Sequence, residues 1–372
     1  MSDNKNINGK IVIVGAGAAG LTAGHILSQK KIDFEILEAS AVHGGRVKKT
    51  DDFADFPIDL GAEWVHKFIK ARPPIMESLF EGKNPDYPIF RYFPETYSLW
   101  KNGELKEKNS SKHWYFWNDW KFTNNTWFDF FDQLVTPAFK KRITYNSPVN
   151  EIDYTKKKII LKTNSGKEYT ADKVLVTVPI KILQKKYINF IPELPEEKVK
   201  EINKEWMPNG LKVFIEFSEK FYPEVLVLDN LIERIVVGNY VYYDATLGKK
   251  TNKNILGLLA DGDESEKYVS LKSDEAIFKF VLNELDEIFD GKASKYYVKH
   301  IVQNWTAEPF IQGTYSHRKA SAKKMSTPVD EKVYFAGEAM HMEGRTIAVQ
   351  GACESSYLML EKMFEDVAQS KG

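Results

Sequence analysis

The chain has 372 residues, 43% hydrophobic and 28% charged, a balance that fits a globular protein of about two domains and excludes a disordered or fibrous one. Lys and Arg together number 52, as do Asp and Glu, so no net field draws the chain to nucleic acid or to an acidic membrane. One cysteine, Cys353, excludes an internal disulfide framework and a zinc site built from several thiolates; no metal is expected, and a reducing compartment fits.

The first predicted elements are a strand at 10–14, a helix at about 18–30 and a strand at 34–38. This βαβ opening implies a parallel sheet. Residues 11–28, "IVIVGAGAAGLTAGHILS", carry no formal charge and approach the length of a membrane span. Their order is four β-type residues, a glycine cluster and an apolar helix, which a spanning helix does not need. The leader "MSDNKNINGK" is too polar and mixed for a signal-peptide n-region, and the final "EKMFEDVAQSKG" too polar for a tail anchor. A soluble, cytoplasmic protein is expected.

The glycine cluster places Gly15, Gly17 and Gly20 in GxGxxG order. Gly15 allows a tight turn, Gly17 lets the backbone approach a pyrophosphate, and Gly20 allows close packing of helix on strand. The helix that follows offers unpaired N–H groups and the positive end of its dipole. Glu38 closes the next strand at the distance a ribose diol requires. Together these residues predict dinucleotide binding.

Residues 85–135 are rich in Tyr and Trp, and "HWYFWNDWKFTNNTWFDFFDQL" packs ten aromatic residues into 22. The favoured reading is the aromatic core of a helical subdomain, with a ligand wall as the alternative. Residues 149–179 read as short strands joined by turns such as "NSGK", with a solvated lysine run at Lys156–Lys158. In "NGLKVFIEFSEKFY", Leu211, Val213, Ile215 and Phe217 alternate as one buried face, which turns Lys212 and Glu216 to the other. On that pattern alone Lys212 is a solvated lysine. A strand around 255–260, a helix at about 273–290, a last strand in "KVYFAGE" and a final helix at about 348–365 complete the series. Because the completing strand of the opening unit comes last, the first domain is built from separated pieces.

Three further stretches carry a family likeness: "GGRVKKT" with Gly44, Gly45 and Arg46, "DLGAEW" at 59–64, and "VYFAGEAMHMEGRTIAVQGA" at 333–352. With the glycine motif before them, the chain resembles the flavin-dependent amine oxidases, the group of monoamine oxidases, polyamine oxidases and flavin histone demethylases. The likeness runs through residues 10–66, 143–180, 207–222 and 302–365. It implies an α/β fold, with a Rossmann-like FAD-binding domain from residues 1–66, 143–206 and 303–372. A discontinuous α+β substrate domain would come from 67–142 and 207–302.

The resemblance also implies roles for single residues. Arg46 would contact the cofactor's phosphates, Gly61 and Ala62 would pass close to the flavin, the Val149 backbone would hold the adenine, and Glu338 would lie near the ribityl–phosphate region. A helix beginning near Val349 would aim its positive end at the flavin's pyrimidine edge, with Cys353 inside it as a small packing residue. Lys212 falls on the family's lysine that holds a water at flavin N5, which reverses the reading from strand pattern. Tyr315 falls on one wall of the aromatic cage. Thr314 stands where monoamine oxidases carry the cysteine linked to flavin, so non-covalent FAD is expected. His66, in the polyamine-oxidase-like "GAEWVH", would face the catalytic space, the plain alternative being a hydrogen-bonded boundary histidine. With Glu63 it would place a distal ammonium or manage a proton.

The sequence also departs from the family. Only 87 residues separate Gly61 from Val149, the paired-glycine motif is absent, and Ile347, Ala348 and Val349 stand where a second cage aromatic is usual. The resemblance implies an FAD-dependent oxidase that removes hydride from the carbon bearing an amine, giving an imine and hydrogen peroxide. Its partners would be a small-molecule amine or amino acid and dioxygen. Alternatives are an L-amino-acid oxidase using Arg345 as a carboxylate clamp, another flavin dehydrogenase or desaturase of the fold, and a non-catalytic FAD-binding scaffold.

Overall fold

Ile11–Val14 (β1) is four consecutive apolar residues, all buried, as the centre of a parallel sheet covered on both faces requires. In the computed structural model, which describes residues 9–66, 76, 84–109, 120–228, 240–317, 320–341 and 348–369, β1 is the middle of a five-stranded sheet. Phe34–Leu37 (β2) and then Ile143–Thr144 lie on one side of it, Lys173–Val176 and then Val333–Phe335 on the other, and every pairing is parallel. Helix α1 (Ala18–Gln29) makes the crossover from β1 to β2. The terminal helix Val349–Gln369 packs against α1, burying Cys353, Leu360 and Met363 completely. This sheet therefore collects strands from the start, middle and end of the chain.

A second sheet of four strands holds Val149–Asp153, Ile159–Thr163, Glu168–Ala171 and Asn189–Ile191. The third has seven strands in the order Tyr297–Asn304, Gly210–Phe217, Asn254–Asp261, Tyr240–Asp244, Val225–Leu228, Thr96–Lys101, Glu104–Asn109. Helix Asp274–Phe289, capped by the Ser273 side chain, buries Ile277, Val281 and Leu285 in the same cluster as Leu211, Val213 and Ile215. The strand Gly210–Phe217 is buried on both faces, Lys212 and Glu216 included.

The aromatic segment departs from the helical subdomain expected of it. Residues 89–91, 96–101, 104–109 and 120–122 are strands, and Thr96–Lys101 joins the large sheet by parallel pairing of Ser98 with Leu226 and Leu99 with Val227. Thr96–Lys101 also pairs antiparallel with Glu104–Asn109 across the Asn102–Gly103 turn, a local hairpin signal that the aromatic composition masked. Among the described residues of this segment only Trp127–Val135 is helical, started by a capping box between Thr126 and Asp129. Trp127, Phe130 and Phe131 are fully buried beneath α1, so most of the described rings of this stretch are core, while Trp114–Trp117 lie outside the described residues. Among the described residues no helix is long and apolar enough to cross a membrane.

Candidate active site

A cavity of about 1330 Å³ opens along the C-terminal ends of β1 and β2 and runs to the face of strand Gly210–Phe217. Gly15, Gly17, Glu38, Arg46, Gly61, Ala62, His66, Val149, Lys212, Tyr315, Glu338 and Val349 all line it. Gly20 sits just behind the wall.

The glycine loop is shaped by close approach. Gly15 has φ +104°, a region that disfavours side chains, and a Cβ on Gly20 would stand 1.9 Å from the Gly15 carbonyl oxygen. Gly17 differs: the nearest protein atom to a Cβ there is the Gly44 carbonyl oxygen at 3.9 Å, so the missing side chain leaves room on the cavity side. No side chain caps α1 and no acidic residue sits in its first turn. An anionic group would meet the N–H groups of this helix end directly.

Glu38 is 7% exposed, and its carboxylate accepts the Ala16 N–H at 2.6 Å and the Ser40 N–H at 2.8 Å. Burial raises its pKa, and those backbone donors oppose the rise. The acidic residue thus braces the glycine loop as well as facing the cavity. Gly44 docks on the same loop through its N–H to the Ala16 carbonyl, 2.8 Å.

Arg46 gathers three distant segments. Its guanidinium donates to the Thr314 carbonyl at 2.7 Å and to Glu338 Oε1 at 2.8 Å, and Glu338 also accepts from the Ser316 hydroxyl. A Cβ on Gly61 would lie 1.9 Å from the Arg46 carbonyl oxygen, which fixes glycine there. Ala348, Val349 and Ala352 bring the first turn of the terminal helix to the wall. The glycine cradle, the open helix end, the buried acid and the size of the cavity fit a dinucleotide.

At the other end of the cavity Lys212 is only 3% exposed. Its Nζ lies 2.7 Å from Glu63 Oε2 and 3.2 Å from the Asp59 carbonyl. Glu63 Oε2 also accepts from the Tyr243 hydroxyl at 2.6 Å, and Oε1 pairs with Lys121 at 2.6 Å. Burial opposes ionisation of Glu63, but the charges of Lys121 and Lys212 prevail and hold its carboxyl well below the usual range. Glu63, expected with His66 to place a distal ammonium or manage a proton, has both oxygens engaged by the protein's own lysines and Tyr243.

The Tyr315 hydroxyl donates to Asp261 at 2.7 Å, and its ring stacks on His317 at 4.9 Å between centroids. Trp64, Phe128, Leu259 and Phe310 supply further apolar wall. Sequence reasoning missed Trp64, Leu259 and Phe310, although Trp64 stands inside "GAEWVH"; Phe128 belongs to the aromatic segment for which a ligand wall was the alternative reading. Cys353 is fully buried in the terminal helix, where burial pushes its thiol up to about 12; it is a packing residue. Arg345 and Ile347 lie outside the described residues.

The family model described as "Flavin containing amine oxidoreductase" matches residues 108–358, and that described as "NAD(P)-binding Rossmann-like domain" matches residues 13–80. Probable polyamine oxidase 4 of Arabidopsis thaliana is 23% identical over 445 residues, covering 96% of this chain and 86% of that protein. Polyamine oxidase 1 of Zea mays is 25% identical over 428 residues, covering 88% of this chain and 85% of its own. Among solved structures, cyclohexylamine oxidase from Brevibacterium oxydans superposes with a TM-score of 0.78 at 13% identity, over 97% of this chain and 100% of that one. Putrescine oxidase bound to putrescine gives 0.75 at 15% identity, over 97% and 99%. These two likenesses establish the fold.

Proposed function

The chain belongs to the flavin-containing amine oxidoreductases and is an FAD-dependent enzyme; on that premise we propose that it is an amine oxidase holding FAD without a covalent link. Bound FAD would supply a two-electron acceptor for hydride from the carbon that bears the amine, with dioxygen as the terminal oxidant, reduced to hydrogen peroxide. The oxidised substrate leaves as an imine and hydrolyses in water. Thr314, where covalent relatives carry cysteine, has no thiol to form a thioether.

The protein's own residues would bind, orient and exclude water. Gly15, Gly17 and the α1 end would hold the pyrophosphate and Glu38 the ribose. Lys212 would present a fixed cation where negative charge develops, an interaction that costs no reorganisation during reaction. Tyr315 and Trp64 would turn aromatic surface to a cationic substrate, and His66 would line the same part of the cavity. Hydride departs from an amine only when the nitrogen is neutral, so the rate should rise with pH as the substrate deprotonates.

One observation carries the amine reading over an amino-acid oxidase. Among the described residues, each Lys or Arg lining the cavity is paired with a carboxylate: Arg46 with Glu338, Lys48 with Glu308, Lys49 with Asp129 and Lys212 with Glu63, at 2.7–2.8 Å. None of the four offers the bidentate clamp that a substrate carboxylate wants. The polyamine-oxidase relatives agree with an amine or polyamine substrate. A peroxide-release screen of the purified protein across monoamines, diamines, polyamines and amino acids tests this. Turnover confined to amino acids would overturn it and turn attention to Arg345.

A further inference from the structure

Behind Lys212 lies a group of charges with almost no access to water. Lys121 is 2% exposed, and its Nζ sits 4.2 Å from the Trp64 ring centroid, 4.2 Å from Tyr92 and 4.7 Å from Tyr243. The three rings form a cage around the ammonium, and Glu63 closes it. Glu63 is held between Lys121 on one oxygen and Lys212 on the other, with the Tyr243 hydroxyl donating to the second. Asp59 and Lys249 face the same group; the Asp59 backbone carbonyl accepts from Lys212, and Lys249 donates to the Phe122 and Thr123 carbonyls.

We propose that Glu63 is a positioning residue for Lys212, and that the caged Lys121 supplies the second cation that leaves this triad with one net positive charge toward the cavity. The charges explain why two lysines are needed. A lone buried ammonium is costly, and a partner carboxylate removes that cost. A simple one-to-one pair would also cancel the field Lys212 exerts on its surroundings. A second lysine on the far oxygen restores it, and the aromatic faces stabilise that lysine without adding negative charge. Nothing else in the cage can do this, because Trp64 is neutral and burial and the Glu63 charge push the Tyr243 phenol's pKa well up. Burial lowers the pKa of Lys121, and the Glu63 charge opposes that fall without cancelling it; for Asp59, burial and then the Glu63 charge raise it, so the acid is biased toward its neutral form. Lys249 is brought down to about 8 by burial and then by Lys121, against the pull of Asp59 and Glu63.

The inference rests on the reading that Lys212 stands beside the flavin, and its test separates the two. Flavin-bound E63Q, K121M, E63Q/K121M and K212M are compared by the reduction potential of the bound flavin and by the pH profile of flavin reduction. K121M takes the triad from one net positive charge to none, so the potential should fall. E63Q leaves two ammonium groups on a neutral amide, and the uncompensated charge should move the potential or the pH profile of flavin reduction away from wild type. The double variant keeps Lys212 as its one charge, so its potential and pH profile should return toward wild type. A double variant no closer to wild type than either single one would overturn the proposal. If E63Q does not retain flavin, K121M decides alone, since a merely structural Lys121 would leave the potential unmoved. A shifted K212M with unmoved K121M and E63Q would remove this inference only. A wild-type K212M, in potential and in both half-reactions, would remove the reading of Lys212 itself.

Discussion

Replacing Glu38 with glutamine changes one atom and tests how the cofactor loop is held. Glu38 accepts two backbone N–H groups, from Ala16 at 2.6 Å and from Ser40 at 2.8 Å, one on each oxygen. An amide has only one accepting oxygen, and its NH₂ would face a donor. One backbone bond falls from charge-assisted to neutral, a loss of about 1 kcal/mol, and one buried N–H loses its partner at about 1–3 kcal/mol. The sum is about 2–4 kcal/mol. Relief from burying a charge acts the other way and favours the lower end, since burial already raises the Glu38 pKa. Urea denaturation of the flavin-free protein reads this loss directly. FAD affinity, followed by flavin fluorescence quenching, should drop a further ~10- to 100-fold as the ribose loses a charged acceptor. Wild-type stability together with wild-type affinity in E38Q would refute both roles.

Gly20→Ala should yield protein without yellow colour, because its Cβ would lie 1.9 Å from the Gly15 carbonyl oxygen and the cradle must open to admit it; the absorption spectrum after purification checks this. Lys198, 4% exposed beneath the Phe335 ring at 4.3 Å, has its pKa lowered to about 7 by burial alone. The unfolded chain then binds the extra proton above that pH, so folding stability should rise with pH from about 7, by roughly 1 kcal/mol over the first unit. Lys198→Met should flatten most of that rise in urea midpoints measured between about pH 7 and 8, where Lys249, at about 8, contributes less. Cys353 should resist a thiol reagent in the folded protein and react once in denaturant, since its thiol is fully buried and pushed up to about 12.

The parts of the fold legible in the sequence are those set by local constraint. Gly15, Gly17 and Gly20 answer to a turn, an approach and a packing contact that all lie within six residues, and Glu38 follows one strand later. Leu211, Val213 and Ile215 declared their strand by alternation. The strand Thr96–Lys101 was missed although its hairpin to Glu104–Asn109 turns on a local Asn102–Gly103; what no local signal shows is its parallel pairing with Val225–Leu228, more than a hundred residues away. The partnership of Lys212 with Glu63 and Lys121 was hidden for the same reason: residues from three separate strands or loops meet only after the large sheet forms. Lys121 stands in "WKF" between two aromatics, where nothing in the pattern distinguishes a caged ammonium from a lysine on the exposed face. Arg46 was readable as a residue of the cofactor region, but its tie to Glu338 needs the end of the chain folded back on the beginning.

Anaerobic mixing of the purified protein with a panel of amines in a stopped-flow spectrophotometer tests the central claim most directly. The account predicts that an amine bleaches the flavin absorbance near 450 nm, faster as pH rises, and that admitting air restores the colour with release of peroxide. A flavin that stays oxidised with every amine, while a carboxylate-bearing or nitrogen-free substrate bleaches it, would contradict the account.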